Sequence, residues 1–215
     1  MSLDRRSFLA HAAATSAALT LGAPRAFAQP ADTLRIGLST YPANLKPWIN
    51  VGYAGQLVSS LLNRFLTGYT PEGKLVGELA ESFERDGDTA WRFKLREAKF
   101  SNGQPVTSAD VEWNIEKIKA EGSGAYTRDA MLEVVKVEII DPRTFRLVTK
   151  SANAALPALF ANPFLPIIAK DSTAKQDQGI GAGPYLLTNA EKGVGLDLEA
   201  SPHYYKAGRP AFRKV

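Results

Sequence analysis

Few residues of this sequence could carry out acid–base, nucleophilic or metal chemistry. The 215 residues include two histidines and no cysteine. Since His11 lies in an N-terminal stretch with the features of a targeting signal, His203 would have to serve any Ser-His-Asp triad, and no Gly-x-Ser-x-Gly elbow accompanies it. A zinc site of the His/Cys type cannot be built from a single histidine. Carboxylates are plentiful but scattered, with no spacing that singles out an acid and a base. The composition therefore predicts a protein without catalytic residues, metal or cofactor.

Ser172-Thr173-Ala174-Lys175 fits the Ser-x-x-Lys pattern of exported penicillin-recognising enzymes. The match is short, the residues around it are polar, and no Lys-Thr-Gly accompanies it. An exported serine acyl-transfer enzyme is therefore kept only as a distant alternative.

The alternating glycines of Gly179-Ile180-Gly181-Ala182-Gly183 invite comparison with a dinucleotide-binding loop. Such a loop follows a strand and opens a helix, whose N-terminus faces the phosphates. Here Pro184 and Tyr185-Leu186-Leu187 lead into a predicted strand instead. The sequence therefore does not predict a nucleotide site at this position.

The first 28 residues have the features of an export signal. Arg5-Arg6-Ser7-Phe8-Leu9 is a twin-arginine pattern, an uncharged stretch runs over residues 10–24, and Ala26-Phe27-Ala28 is a small-x-small cleavage site. A membrane anchor is the alternative, but spanning a bilayer takes roughly 20 apolar residues. We therefore predict twin-arginine export with cleavage after Ala28.

Removal of this signal lowers the formal net charge from +4 to +2, because three arginines and one aspartate leave with it. The remaining charge gives no reason to predict a nucleic-acid partner. The absence of cysteine excludes a disulfide framework, so packing must stabilise the exported chain.

The stretch Leu79–Asp110 predicts a hairpin followed by a capped helix. Trp91, Phe93 and Leu95 alternate with charged residues, as in a half-buried antiparallel strand. Asp86-Gly87-Asp88 before that strand has hairpin-turn composition. Thr107 or Ser108 can cap a helix in which Val111, Ile115 and Ile118 share one face.

Further elements follow from alternation, helical spacing and turn residues. We predict a first strand over Thr33–Leu38, a helix over Gly55–Leu66, a short strand from Leu75, a hairpin of Val134–Ile140 with Thr144–Thr149, a short helix over Ala154–Ala161, and a strand pair of Tyr185–Leu187 with Leu196–Glu199.

Several of these motifs together resemble family 5 of the extracellular solute-binding proteins, the peptide-, dipeptide- and nickel-binding components of bacterial ABC importers. The motifs are Leu79-Ala80-Glu81-Ser82-Phe83, the strand end Leu95-Arg96, the run from Lys99 to Val111, the element Gly181-Ala182-Gly183-Pro184-Tyr185 and the ending Tyr204 to Phe212. The departures from the family pattern are mild: Phe83 replaces the usual tryptophan, Glu97-Ala98 replace a short linker, and Val106 replaces leucine.

The resemblance implies a mixed α/β fold like that of type II periplasmic binding proteins. By analogy, residues 29–66 and 172–215 belong to the first lobe, residues 67–171 form the family's inserted α/β domain, and residues 1–28 are the signal. Family members are normally at least twice this length, and the resemblance covers the first lobe and the inserted domain but not the second lobe.

Candidate ligand-binding residues come from three places. Tyr41 and Asn44 lie in a loop after the first predicted strand, where ligands collect in α/β sheets, although a surface turn with a packed tyrosine is the alternative. Tyr126 and Arg128 lie in a loop that in family members reaches the ligand cleft; here the alternative is a solvated loop. Gly183 and Tyr185 belong to the element that in the family enters a strand beside the cleft.

The resemblance implies a periplasmic receptor that captures peptides or similar small solutes and delivers them to the membrane permease subunits of an ABC importer. Peptides are the commonest cargo, and nickel chelates, glutathione-like peptides, haem and sugars also occur. The alternative is a truncated, non-transporting fragment or a module of the same family that depends on a partner chain.

Overall fold

The computed structural model describes residues 32–49, 52–172 and 178–215. Contacts divide the chain into a short unit, Met1–Thr33, and a larger unit, Leu34–Val215. In the short unit, Thr33 Oγ1 donates a hydrogen bond to Asp32 Oδ1. The predicted signal and its cleavage site lie outside the described residues. Within the described ranges, no helix has the length and apolar character needed to cross a bilayer.

Among its described residues, the larger unit contains short helices and three antiparallel sheets. Its elements are, in chain order, α1 (Gly52–Leu62), β1 (Thr67–Tyr69), β2 (Leu75–Gly77), β3 (Ala80–Arg85), β4 (Ala90–Leu95), α2 (Ser108–Lys119), α3 (Arg128–Met131), β5 (Val134–Asp141), β6 (Thr144–Thr149), α4 (Leu156–Leu159), β7 (Tyr185–Glu191) and β8 (Gly195–Ala200). The mixed α/β class predicted from the sequence is therefore confirmed.

The four-stranded sheet has the order β3-β4-β6-β5 and buries one face in the larger of two apolar cores. Phe83, Phe93, Phe145 and Ile139 lie in register across it. The Phe93 and Phe145 rings stack with centroids 5.4 Å apart, and both side chains are fully buried. The pairing of β3 with β4 and of β5 with β6 confirms the predicted hairpins. Alternation along each strand places these apolar residues on one face of the sheet.

The opposite face of this sheet carries a row of charged residues in register. Glu84, Arg92, Arg146 and Glu138 succeed one another across the four strands. The two arginines are direct neighbours, and Asp86 Oδ2 lies 2.7 Å from Arg92 Nη2 and 2.8 Å from Arg146 Nε. Asp86 therefore offsets the repulsion between two like charges on adjacent strands.

Helix α2 begins as the sequence predicted. The backbone N–H of Thr107 donates to Asp110 Oδ2 over 2.9 Å, which forms one half of a capping box. Val111, Ile115 and Ile118 are all buried in the larger core.

The buried Asn114 ties α2 to the segment that follows α4. Its Nδ2 donates to the Ile168 carbonyl over 2.7 Å, and its Oδ1 accepts from the Ile168 N–H. A buried amide satisfied in this way fixes the position of that segment against α2.

Helix α1 differs from its prediction at both ends, since Gly52–Leu62 replaces Gly55–Leu66. At the C-terminal end, the Leu62 carbonyl that a longer helix would need, and two carbonyls beyond it, accept hydrogen bonds from distant residues. Gly183 N donates to the Leu62 carbonyl, Ile167 N to the Arg64 carbonyl and Glu78 N to the Leu66 carbonyl. Residues 63–66 therefore leave the helix to pair with distant segments.

The prediction of a first strand over Thr33–Leu38 is wrong for residues 34–38, to which the structure assigns no strand. The Leu34 N–H donates to the Lys214 carbonyl over 2.9 Å, but Arg35, Ile36 and Gly37 are exposed. Alternation of apolar and polar residues identifies a segment that could join a sheet. A strand also needs a hydrogen-bonded neighbouring strand along its length.

The second, smaller apolar core lies between α1 and the β7–β8 hairpin. Val58 and Leu62 of the helix pack with Tyr185 and Leu198 of the hairpin. The predicted pairing of these last two strands is confirmed. The boundaries proposed at residues 28, 66 and 171 remain predictions.

Candidate ligand-binding site

The loop over residues 39–49 is held by apolar packing and by a local turn. Leu45 packs against the smaller core, and Pro42 and Pro47 are buried. Asn44 Oδ1 accepts a hydrogen bond from the Lys46 N–H over 3.0 Å, as in an Asx turn. Within the described part of the chain, the Asn44 amide nitrogen has no hydrogen-bond partner. Tyr41 is half-buried.

The loop over residues 121–128 meets the end of this first loop. The Tyr126 N–H donates to the Trp48 carbonyl over 3.4 Å. Gly124 has φ +68°, and a Cβ there would come within 3.5 Å of Ile49 Cγ2. The structure therefore brings together two loops that lie more than 70 positions apart and that the sequence singled out separately.

Four aromatic side chains surround this junction, and we call them the aromatic cluster: Trp48, Trp113, Tyr126 and Phe164. The centroids of Trp48 and Trp113 are 6.0 Å apart, and those of Tyr126 and Phe164 are 5.1 Å apart. Tyr126 is 57% exposed and the other three are half-buried. Trp48 Nε1 donates to the Pro166 carbonyl over 3.3 Å, which anchors its ring.

A positive charge borders the aromatic cluster. Lys117 Nζ lies 5.6 Å from the centre of the Trp113 ring, within cation–π range. The cluster thus combines one exposed and three half-buried rings with one ammonium group. Such a surface suits an apolar or planar group that carries an anionic end.

Arg128 is occupied by a structural contact. Its Nε donates to the Lys119 and Ala120 carbonyls, at 3.1 and 3.2 Å, where α2 ends. A cation at this position also interacts favourably with the helix dipole. Its ligand-binding role remains a prediction, and any contact with a solute would have to share the guanidinium with this cap.

Gly183 and Tyr185 join β7 to α1. The Gly183 backbone lies so close to Leu61 and Leu62 that a Cβ would collide with their main-chain atoms. The Tyr185 hydroxyl donates to the Phe212 carbonyl over 3.2 Å, and burial raises the pKa of this tyrosine. The side chain is 5% exposed. Both residues have packing roles here, and their role in ligand binding remains a prediction.

Sequence reasoning missed Trp48, Trp113 and Phe164. A signal was present for Trp113, because Lys117 follows it by four residues on the exposed side of a helix. The contact of Trp48 with Trp113 has no local signal, since the two residues lie far apart in the sequence.

The serine of the Ser-x-x-Lys pattern makes a structural hydrogen bond. Ser172 is buried, and its Oγ accepts a hydrogen bond from the Ile180 N–H over 3.0 Å. Lys175 of the Ser-x-x-Lys pattern lies outside the described residues. Among the residues with described positions, no group of three or more His, Asp or Glu side chains could hold a metal ion.

A cavity of about 420 Å³ opens beside the start of α2, lined by Phe100, Gln104, Pro105, Asp110, Lys170 and Asp171. Its most buried carboxylate is already used: Asp110 Oδ1 accepts from the Lys170 N–H, and Oδ2 accepts from Thr107. Both carboxylate oxygens of Asp110 are therefore engaged in hydrogen bonds within the chain and are less available to a ligand in this cavity.

The model of bacterial extracellular solute-binding proteins, family 5, matches residues 74–215, more than half of the chain. The chain therefore belongs to this family. The fold agrees, because its structural neighbours are type II periplasmic binding proteins.

Among individual relatives, the chain is 28% identical to the probable D,D-dipeptide-binding periplasmic protein DdpA of Escherichia coli K12, over 87% of this chain and 39% of DdpA. It is 26% identical to the glutathione-binding protein GsiB of E. coli O1:K1, over 92% of this chain and 40% of GsiB. The structure of the PBP AgaA in complex with agropinic acid, from A. tumefaciens R10, superposes with a TM-score of 0.78 at 31% identity, over 82% of this chain and 37% of AgaA. The chain thus spans about two fifths of these proteins.

Proposed function

We propose that this chain captures peptides or similar small solutes for an ABC importer, and that the aromatic cluster contributes to the binding surface. The observation that carries the proposal is the junction of two loops. A hydrogen bond from the Tyr126 N–H to the Trp48 carbonyl joins them. One of these loops holds Tyr41 and Asn44, and the other holds Tyr126 and Arg128. Membership in a solute-binding family supports the same function.

The proposed contacts follow from the chemistry of each side chain. The exposed Tyr126 and its neighbour Phe164 offer ring faces for an apolar side chain of the solute. The Asn44 amide nitrogen is a donor for a peptide carbonyl or carboxylate. Tyr41 lies in the same loop, and Arg128 and Lys117 bring positive charge to a terminal carboxylate. Gly183 and Tyr185 act by holding β7 beside α1.

The relatives support a peptide-like cargo. DdpA is described as a probable D,D-dipeptide-binding protein and GsiB as a glutathione-binding protein. Both ligands are short and carry carboxylates. We infer binding without chemical conversion of the ligand, since the family is one of solute-binding proteins.

Location and partners follow from the same proposal. The twin-arginine pattern at Arg5-Arg6 supports export, and cleavage after Ala28 would release the chain into the periplasm. There it would deliver solute to the membrane permease subunits of an ABC transporter.

A partner-dependent module is the second candidate. It is favoured by Ile36, which is 41% exposed on a stretch that the structure assigns to no strand. In that case a solute would bind with measurable affinity only when another polypeptide covers this surface.

The test compares two exposed tyrosines. Tyr126 is 57% exposed in the aromatic cluster, and Tyr69 is 59% exposed at the β1–β2 turn. A mixed library of di- to pentapeptides, with glutathione and D-alanyl-D-alanine added, is screened by calorimetry against residues 29–215. For any peptide that binds, we expect Tyr126→Ala to raise Kd by about tenfold or more, a hot-spot effect, and Tyr69→Ala to leave it unchanged.

Equal effects of the two substitutions would place the binding surface elsewhere. Binding by no peptide in the library would contradict the first candidate, and binding restored by an added polypeptide partner would favour the second.

A further inference from the structure

Three distant stretches of the chain meet at the carboxylate of Glu78, which lies between β2 and β3. Lys206 Nζ lies 2.8 and 3.0 Å from its two oxygens, and the Tyr205 hydroxyl donates to Oε2 over 2.7 Å. Arg64, which follows α1, has its Nε 3.7 Å from the same oxygen. The side chain of Glu78 is only 20% exposed, so these contacts are partly shielded from water.

Two stacked cation–tyrosine pairs flank this carboxylate. The Arg64 guanidinium lies 5.2 Å from the centre of the Tyr204 ring, and Arg64 Nε also donates to the Tyr204 hydroxyl over 3.0 Å. The Arg96 guanidinium lies 5.0 Å from the centre of the Tyr205 ring. Since the two tyrosine rings are themselves 5.0 Å apart, residues 204–206 dock as one unit.

Both arginines of this cluster also donate hydrogen bonds to backbone carbonyls. Arg96 donates from Nε to the Glu78 carbonyl and from Nη2 to the Gly77 and Ala80 carbonyls. Arg64 Nη1 donates to the Ser60 and Asn63 carbonyls. Among the contacts of the described residues, Glu78 is the one acidic side chain that faces Arg64, Tyr205 and Lys206.

We propose that Glu78 is an acid-sensitive latch that holds the segment Tyr204–Lys206 against the end of α1 and the β2–β3 connection. The contacts of the latch involve no residue of the aromatic cluster. It joins the segment that follows the β7–β8 hairpin to the larger core through charge, in addition to the packing of the Tyr205 ring against that core.

The pKa of Glu78 determines how the latch responds to a fall in pH. Burial would raise the pKa of Glu78, but hydrogen bonds from Lys206 and Tyr205 and the charges of Lys206 and Arg64 outweigh burial and hold this pKa below its usual range. Burial and the Glu78 carboxylate raise the pKa of Tyr205, so its hydroxyl remains a donor. A carboxylate with a lowered folded pKa stabilises the contact above its unfolded pKa and loses this effect as the pH falls through the folded value. The latch is therefore closed at neutral pH and opens as the pH falls through the lowered pKa of Glu78.

Amide hydrogen exchange of residues 201–209, in the full chain and corrected for intrinsic rates, tests the latch. The amides of Tyr204 and Arg209 donate to the Ser201 and Lys206 carbonyls within this segment. We expect Glu78→Gln to speed their exchange by about tenfold or more at neutral pH, the scale of a lost charged hydrogen bond. We expect Tyr205→Phe to have a smaller effect in the same direction.

Two internal controls separate latch opening from unfolding. Glu81→Gln removes a neighbouring carboxylate whose partner, Lys94, is half exposed, and it should leave the segment unchanged. The amides of β4 and β6 should keep their protection in every variant. On acidification, wild-type protection of residues 201–209 should fall towards that of Glu78→Gln, which should itself stay constant.

The proposal is overturned if Glu78→Gln exchanges like the wild type at neutral pH. It is also overturned if the wild type and Glu78→Gln lose protection in parallel as the pH falls, because another group would then control the segment.

Discussion

At Gly183, a residue of a family motif has a local physical explanation. The family resemblance predicts that Gly183 belongs to a glycine-rich element beside a ligand cleft. Its backbone lies against Leu61 and Leu62, where no side chain fits. The glycine is therefore explained by packing between β7 and α1, whether or not a solute approaches it.

This explanation predicts the effect of one added methyl group. Gly183→Ala should lower the free energy of unfolding by about 1–3 kcal/mol, because main-chain atoms must move to admit the Cβ. Gly195→Ala is the matched control, since nothing lies within 4 Å of a Cβ at that position. Urea unfolding of both variants gives the comparison, and an equal, small change in each would refute the packing explanation.

At the scale of elements, the sequence correctly predicted the structural features that depend on residues close to one another in the chain. The hairpins and the start of α2 follow from alternation, turn residues and a cap, all of which act over a few positions. The end of α1 and the fate of residues 34–38 depend on Gly183, Ile167 and Lys214, which lie far away in the sequence. No local pattern encodes those partners, so these two predictions failed for a physical reason.

The charged row on the four-stranded sheet leads to a prediction about salt. Asp86→Asn leaves Arg92 and Arg146 as neighbouring like charges without their shared counter-charge. We expect a lower urea midpoint at low ionic strength and a smaller difference in 1 M salt, where the Debye length is about 3 Å. Glu97→Gln, which removes an 88% exposed partner of Arg143, should change little in either condition. A salt-independent loss in Asp86→Asn would contradict the electrostatic explanation.

At the scale of the whole molecule, two apolar cores support one candidate binding surface. The smaller core carries the loop of Tyr41 and Asn44 through Leu45, while the larger core carries α2 and the loop of Tyr126. The two loops meet at Trp48. The sequence predicts both loops as candidate binding segments, but it does not predict their contact or the aromatic cluster, because these depend on packing between distant segments.

The most direct measurement is a solute titration of isotope-labelled residues 29–215 followed by backbone amide chemical shifts. With D-alanyl-D-alanine or glutathione, we predict saturable shifts at Trp48, Tyr126 and Phe164 and none at Tyr69. Saturable shifts confined to another surface, such as the cavity beside Lys170 and Asp171, would contradict a binding role for the aromatic cluster, as would the absence of any saturable shift.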